Sequence, residues 1–149
     1  GVLATPATAA SGAYRRAIHA CRPSATVHEV GCPSFVPLIE AGDLEAPALR
    51  QAAQDYLAPL LEARVEAIVL GCTHYPLMER TFAEALGPDV RVYSQASLVA
   101  ESLADYLARR PEFTGPGKVA RFLTTGDPAA VSNRATQFLR QHIMFEAAL

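Results

Sequence analysis

The chain has 149 residues, half of them hydrophobic, enough for one complete domain, or one domain plus part of another, around a real core. A net charge of -2, a pI near 6.1 and 13 basic residues scattered without a run leave no basic face for nucleic acid. No apolar segment approaches the roughly 20 residues that cross a bilayer, and no charged start followed by an apolar run marks a signal peptide, so a soluble cytoplasmic protein without a membrane partner is expected.

Gly1 to Thr5 reads as a short buried strand that opens without an initiator Met, as though in mid-sheet, so something upstream is expected to be missing. Pro6 to Ser11 supplies a turn, and an amphipathic helix runs from about Gly12 to Cys21 with Thr8 or Ser11 as its cap. Thr26 to Gly31 alternates as a second strand and ends at Cys32-Pro33. Phe35, Val36, Leu38 and Ile39 form a short apolar segment closed by Glu40, and the loop Ala41-Gly42-Asp43 follows. The clearest helix spans about Glu45 to Ala63, where Leu49, Ala53, Tyr56, Leu57, Leu60 and Leu61 recur at helical spacing and Pro59 should bend it. Ala67-Ile68-Val69-Leu70-Gly71 reads as a buried strand, and Cys72-Thr73-His74-Tyr75-Pro76 then leads to a helix near Leu77 to Leu86, ended by Gly87-Pro88. Val90 to Tyr93 is another strand ending in Ser94, Leu98 to Arg110 a helix, and Pro111 to Gly117 a loop, the one linker-like stretch. Val119 to Leu123 reads as a last strand, and Asp127-Pro128 places a capping Asp and a first-turn Pro before a helix to about Leu139.

Strands alternating with helices at this spacing imply an α/β fold with a mainly parallel sheet flanked by helices. Thr5, Cys32, Cys72 and Ser94 all fall at carboxyl ends of strands, and so share the edge where such sheets gather ligands. An odd number of cysteines, Cys21, Cys32 and Cys72, argues against a disulfide framework and leaves a thiol free for chemistry. A free cysteine is commonly a small buried hydrophobe. Cys72 differs because Thr73 and His74 follow at once and a helix N-terminus lies just beyond, so positive charge and backbone donors are at hand for a thiolate.

Such a thiolate can act as metal ligand, nucleophile or base. Zinc finds one close pair, Cys72 with His74, and would need Cys32 from another strand, so no metal is assigned. An acyl-transfer nucleophile needs a His base, and His74 is two residues away. A base that removes a carbon-bound proton needs an electron sink or a polar pocket. Pyridoxal as that sink requires a lysine, and the only one, Lys118, ends a Gly-Pro-Gly loop, so no cofactor is assigned. Thr5-Pro6-Ala7-Thr8 can hold a carboxylate or simply cap a helix. Glu40 is either a solvated loop carboxylate or a group that orients His74. His19 and His28 read as surface residues and His142 as part of a tail.

Leu70-Gly71-Cys72-Thr73-His74-Tyr75-Pro76-Leu77 resembles the signature around the second catalytic cysteine of bacterial glutamate racemase, in the Asp/Glu racemase superfamily. Gly1 to Thr8 with Ser11-Gly12-Ala13-Tyr14, Cys32 to Glu40, and Thr124-Thr125-Gly126-Asp127-Pro128 resemble the same family in order and spacing. Ala7 departs from a common Gly, and Ser94-Gln95-Ala96 from a usual acidic ending. The resemblance implies cofactor-independent racemisation of L-glutamate to D-glutamate for peptidoglycan, and hence cell wall biogenesis and cell shape. Cys72 would be the base that acts on L-glutamate and the acid in reverse. Thr73 would donate to the substrate, His74 would contact substrate and assist Cys72, Glu40 would support His74, and Thr5 and Thr8 would belong to the carboxylate-binding edge.

The family's other cysteine, with its Asn-Thr neighbours, would lie upstream of Gly1, where neither Cys21 nor Cys32 can replace it. On the family pattern residues 1–95 form the second of two similar domains and residues 96–149 return to the first, so the chain alone is expected to be incomplete and inactive. Its partners would be glutamate and the missing N-terminal half, with room for a homodimer. An aspartate or hydantoin racemase keeps the fold but changes the substrate, and His74, where aspartate racemases typically carry Glu, favours glutamate. A non-catalytic module that captures a small carboxylate is the alternative from another class.

Overall fold

The computed structural model describes residues 1–115 and 121–148. The chain divides into two compact units, Gly1–Ala100 and Glu101–Leu149. In the first, β1 (Val2–Ala4), β2 (Glu29–Gly31), β3 (Ala67–Leu70) and β4 (Arg91–Ser94) form one sheet in the order β2-β1-β3-β4, every neighbouring pair parallel. Parallel pairs need crossover connections. Helices α1 (Pro6–Ser11) and α2 (Ala13–Cys21) join β1 to β2, and α3 (Phe35–Glu40) and α4 (Pro47–Glu62) carry the chain back past β1 to β3. A 3-10 turn (Tyr75–Met78) and α5 (Glu79–Leu86) then lead to β4. Strand order therefore reverses between β1 and β3, and ligands of such sheets sit outside the carboxyl ends at that reversal.

Val2, Leu3 and Ala4 are completely buried, as a central strand covered on both faces requires. Alternation sends Val2 and Ala4 to one side, against Val27 and the partly buried Ala9, Tyr14, Ile18 and Val69. Phe35, Ile39, Leu49, Leu57, Leu60 and Phe82 from α3, α4 and α5 are buried with Ile68, Leu70, Tyr75 and Met78. Phe35 is the hub among the aromatic rings there, meeting Tyr56, Tyr75 and Phe82 edge-on at centroid distances of 4.9, 5.2 and 5.5 Å.

Several elements differ from the sequence expectation for local reasons. Pro6–Ser11 is a helix rather than a turn, since Thr5 caps it by accepting from Thr8 N at 3.4 Å and Pro6 occupies its first turn. Gly12, at φ 63°, ends α1 and starts α2 in the left-handed region that glycine enters without penalty. Thr8 does not cap α2, as its hydroxyl meets that of Thr5 at 2.9 Å, whereas Ser11 Oγ accepts from Ala13 N at 3.2 Å. Pairing on β1 limits the second strand to Glu29–Gly31, and the apolar segment after Cys32 is helical as α3. The helix expected from Leu77 starts as the 3-10 turn and becomes α-helical only at Glu79.

Helix α6 (Gln95–Arg109) follows β4 without a break. Beyond it the second unit holds a 3-10 turn (Pro111–Phe113), β5 (Phe122–Thr124), α7 (Pro128–Leu139) and β6 (Phe145–Ala147), with β5 and β6 paired in parallel. The expected last strand is β5, while Lys118 and Val119 lie outside the described residues. Asp127 caps α7 through Ala129 N and Ala130 N at 2.8 and 3.3 Å, with Pro128 in its first turn. Ser132 is buried because its hydroxyl donates to the Pro128 carbonyl at 2.6 Å and accepts from Phe145 N at 2.8 Å, tying β6 to α7. Strand β6, where the sequence suggests only a tail, exists through that bond and the pairing with β5.

Replacing Phe35 with alanine removes the shared partner of three rings. A loss of about 3–5 kcal/mol is expected for a fully buried Phe. A urea unfolding midpoint that stays at the wild-type value would contradict the central role of this ring.

Candidate active site

Gly71 N donates to the Leu3 carbonyl at 2.7 Å, carrying the β1–β3 ladder one residue past the strand. Pairing stops there because the next residues turn. The Cys72 carbonyl accepts from Tyr75 N at 3.2 Å and the His74 carbonyl from Leu77 N at 3.1 Å. Cys72, Thr73 and His74 are thus the turn between β3 and the 3-10 segment, at the carboxyl end of the sheet. The expected α-helical N-terminus is not at hand, since α5 begins only at Glu79.

Within this turn Cys72 Sγ lies 4.0 Å from His74 Nδ1, and His74 Nε2 lies 3.1 Å from Glu40 Oε1. Glu40 comes from the last residue of α3, which Phe35 anchors in the core. Thiol, imidazole and carboxylate stand in line, all partly open to solvent. When Glu40 accepts the Nε2 proton, Nδ1 turns its lone pair toward the thiol. The arrangement can move a proton on and off sulfur with the imidazole's charge held by a carboxylate.

The hydroxyls of Thr5 and Thr8 meet at 2.9 Å at the end of β1, and Thr73 is exposed in the turn. Strand order makes β1 and β3 neighbours, so Thr5 and the Cys72 turn stand at adjacent strand ends. Ser94 is buried at the end of β4, its carbonyl accepting from Ser97 Oγ at 3.5 Å. His19 is half-buried, with Nε2 2.9 Å from the Ala25 carbonyl.

Cys32 comes directly after β2 on the same edge but is only 1% exposed, and its thiol donates to the Val30 carbonyl at 3.5 Å. Burial pushes that thiol up to about 12. It therefore stays protonated where Cys72 would work. Among the described residues no group of three or more His, Cys, Asp or Glu could hold a metal, so Cys32 does not join Cys72 and His74 in a ligand set.

Two tyrosines that the sequence reading names only within longer stretches, without a role, border the site. Tyr75, fully buried, donates from its hydroxyl to the Cys32 carbonyl at 3.4 Å, linking the ends of β2 and β3. Tyr14, on α2, accepts a hydrogen bond from the Gln95 side chain and lies against Gly71. Burial first, and then the charge of Cys72, holds its phenol proton more tightly than usual. Its place in the first turn of α2, just after the Gly12 cap, was the available signal, but only tertiary contact shows its partner.

The Asp/Glu/Hydantoin racemase family pattern matches residues 1–103. The chain is 56% identical to a glutamate racemase of Cereibacter sphaeroides over 148 residues, which is 99% of this chain and 54% of the relative. It superposes on a crystal structure of a glutamate racemase isoform from Bacillus anthracis with TM-score 0.85 at 30% identity, covering 100% of this chain and 56% of that one. A second, from Francisella tularensis in complex with D-glutamate, gives TM-score 0.81 at 28% identity over 99% and 55%. The chain thus spans about half the length of the relatives it matches.

The state of Cys32 makes stability fall in alkali. The folded chain keeps a proton that the unfolded chain releases above 9.0, so the contribution is complete below pH 9.0 and is lost as pH rises toward about 12. Burial raises the Tyr75 phenol too, which adds to the same alkaline limb. Thermal midpoints should drop across this range, and drop less steeply in Cys32→Ala. Equal slopes for the two proteins would remove Cys32 from the account.

Proposed function

We propose, from the premise that the chain belongs to the Asp/Glu/Hydantoin racemase family, that it serves the interconversion of L- and D-glutamate, with Cys72 as one of two thiol acid/bases. The observation that carries this is the line from Cys72 through His74 to Glu40 at the reversal of strand order. In the L-to-D direction the Cys72 thiolate takes the α-proton and becomes the thiol, leaving the electron pair on the α-carbon. A second thiol on the opposite face gives that carbon a proton and becomes the thiolate. His74 with Glu40 then carries the surplus proton away from Cys72. Thr5, Thr8 and Thr73 supply hydroxyls for the substrate's polar groups, and His74 borders them. No cofactor or metal is assigned to the reaction.

Glutamate is favoured as substrate because the matched relatives carry that activity in their names and one was crystallised with D-glutamate. His74 points the same way. D-glutamate made in this way would enter peptidoglycan synthesis in the cytoplasm. The second thiol belongs to the opposite wall of the site, so by our reading the 149 residues alone do not turn over glutamate, since one base cannot serve both faces of a carbon.

The same reading makes residues 1–95 one racemase domain and residues 96–149 a segment of another. Supporting it, Phe122 and Leu123 of β5 are 41% and 51% exposed, and a two-stranded sheet is marginal by itself. No residue of α6 is buried, and Leu98, Val99 and Leu103 are each more than half exposed. Apolar surface of that extent calls for a partner.

In the protein with all upstream residues present, Cys72→Ser should lower racemisation by roughly 10²–10⁴-fold, the scale of a lost acid/base. His74→Asn should lower it less. Racemisation near the wild-type rate in Cys72→Ser would dismiss the proposed role, and binding of glutamate without α-deuterium exchange in the wild type would leave only a carboxylate-binding module.

A further inference from the structure

Gly71 has two close neighbours. Its N–H is bonded to the Leu3 carbonyl at 2.7 Å. The Tyr14 ring stands beside it as well, so that a Cβ added at Gly71 would lie 3.0 Å from Tyr14 Cε2, 3.2 Å from its Cζ and 3.0 Å from the Leu3 oxygen. The backbone that leads into Cys72 therefore runs directly against that ring, with no room for a side chain between them. Tyr14 itself is held at both ends. Its ring packs against the cluster of Val2, Ala4 and Val27, and its hydroxyl accepts the Gln95 side-chain N–H. Gln95 directly follows Ser94, the residue paired with Leu70 across β3 and β4.

We propose that Tyr14 is a positioning residue for Cys72, its ring fixing the Gly71 backbone and its hydroxyl bonding the end of β4 through Gln95. A phenylalanine would fill the same space, so the hydroxyl has a separate task. It joins the ends of two adjacent parallel strands through a side chain on a third element, α2. The phenol transfers no proton in this role, because the burial and the Cys72 charge that hold its proton keep it neutral while the thiol works. The catalytic part of the proposal rests on Cys72 acting as an acid/base. The clamp on the turn does not.

The test uses the protein with its upstream residues, comparing wild type with Tyr14→Phe, Tyr14→Leu and Gln95→Leu. Two readouts are taken together: kcat and KM for both glutamate enantiomers, and alkylation of each cysteine by iodoacetamide, resolved by peptide mass spectrometry. Tyr14→Leu should lower kcat on the order of 10- to 100-fold, the scale of a slight misplacement of a reacting group, with little change in KM. Alkylation of Cys72 should speed up as the turn is freed, while buried Cys32 stays unreactive and shows the fold intact. Tyr14→Phe and Gln95→Leu should each cause a smaller kcat loss, and their combination no more than either alone, because both break one hydrogen bond.

Wild-type kcat and Cys72 alkylation in Tyr14→Leu overturn the proposal, as does Cys32 opening together with Cys72. A fully active Cys72→Ser protein strikes the acid/base reading instead. In that case the alkylation pattern still decides the clamp.

Discussion

The pairing of β1 with β3 is the constraint on which the candidate site depends. Chain order alone would place these strands apart, since α1, α2, β2, α3 and α4 intervene. Leu3 pairs with Leu70, and the bond from Gly71 N to the Leu3 carbonyl continues the ladder. This brings the Thr5 end of one strand beside the Cys72 turn of the other. A parallel ladder sets the ends of its strands on one edge, so a single register aligns groups that are 67 residues apart in sequence. A slip of one residue would turn Val2, Leu3 and Ala4 to the wrong faces of a sheet covered on both sides. Core packing and site geometry are thus enforced together.

The same economy places Glu40. Its carboxylate reaches His74 from the end of α3, a helix of six residues that could not stand alone. Phe35 in its first turn holds α3, surrounded by Tyr56, Tyr75 and Phe82. Ser34 adds a 2.8 Å bond between its hydroxyl and that of Tyr56 on α4. Tyr75 belongs both to the ring cluster and to the turn after Cys72, whose carbonyl its N–H meets. The aromatic packing therefore sets both ends of the His74–Glu40 contact.

The sequence was informative where a local signal and the tertiary structure agree. β1 is an apolar run buried on both faces, β3 an apolar run with Ile68 and Leu70 fully buried, and Asp127-Pro128 is a cap that works through bonds to its own helix. The edge shared by Thr5, Cys32, Cys72 and Ser94 comes from strand ends alone. It was less informative where structure arises from distant partners. α1 is too short to show a periodic face, β6 is a strand only because β5 pairs with it, and the 3-10 turn at Tyr75 owes its shape to the Cys72 and His74 carbonyls. The same applies within the site. Residue types pointed to Cys72 with His74, and Glu40 joined them only through the family resemblance, but Tyr14 and Gln95, 81 positions apart, carry no sequence mark of their contact.

Cys32 and Cys72 show why a strand-end cysteine is not in itself a reactive group. Both lie just beyond strands of one sheet, on one edge. Cys32 is buried, with its thiol donating to the Val30 carbonyl at 3.5 Å, in a site where a negative charge is costly. After β3 the chain makes a 3-10 turn, which leaves Cys72 partly exposed and sets an imidazole two residues on within reach of sulfur. The two thiols differ in their surroundings, one 1% exposed and bonded to a strand carbonyl, the other partly exposed beside an imidazole. Gly71 permits the turn to begin so close to the β1 backbone, since any side chain there would meet both the Leu3 oxygen and the Tyr14 ring.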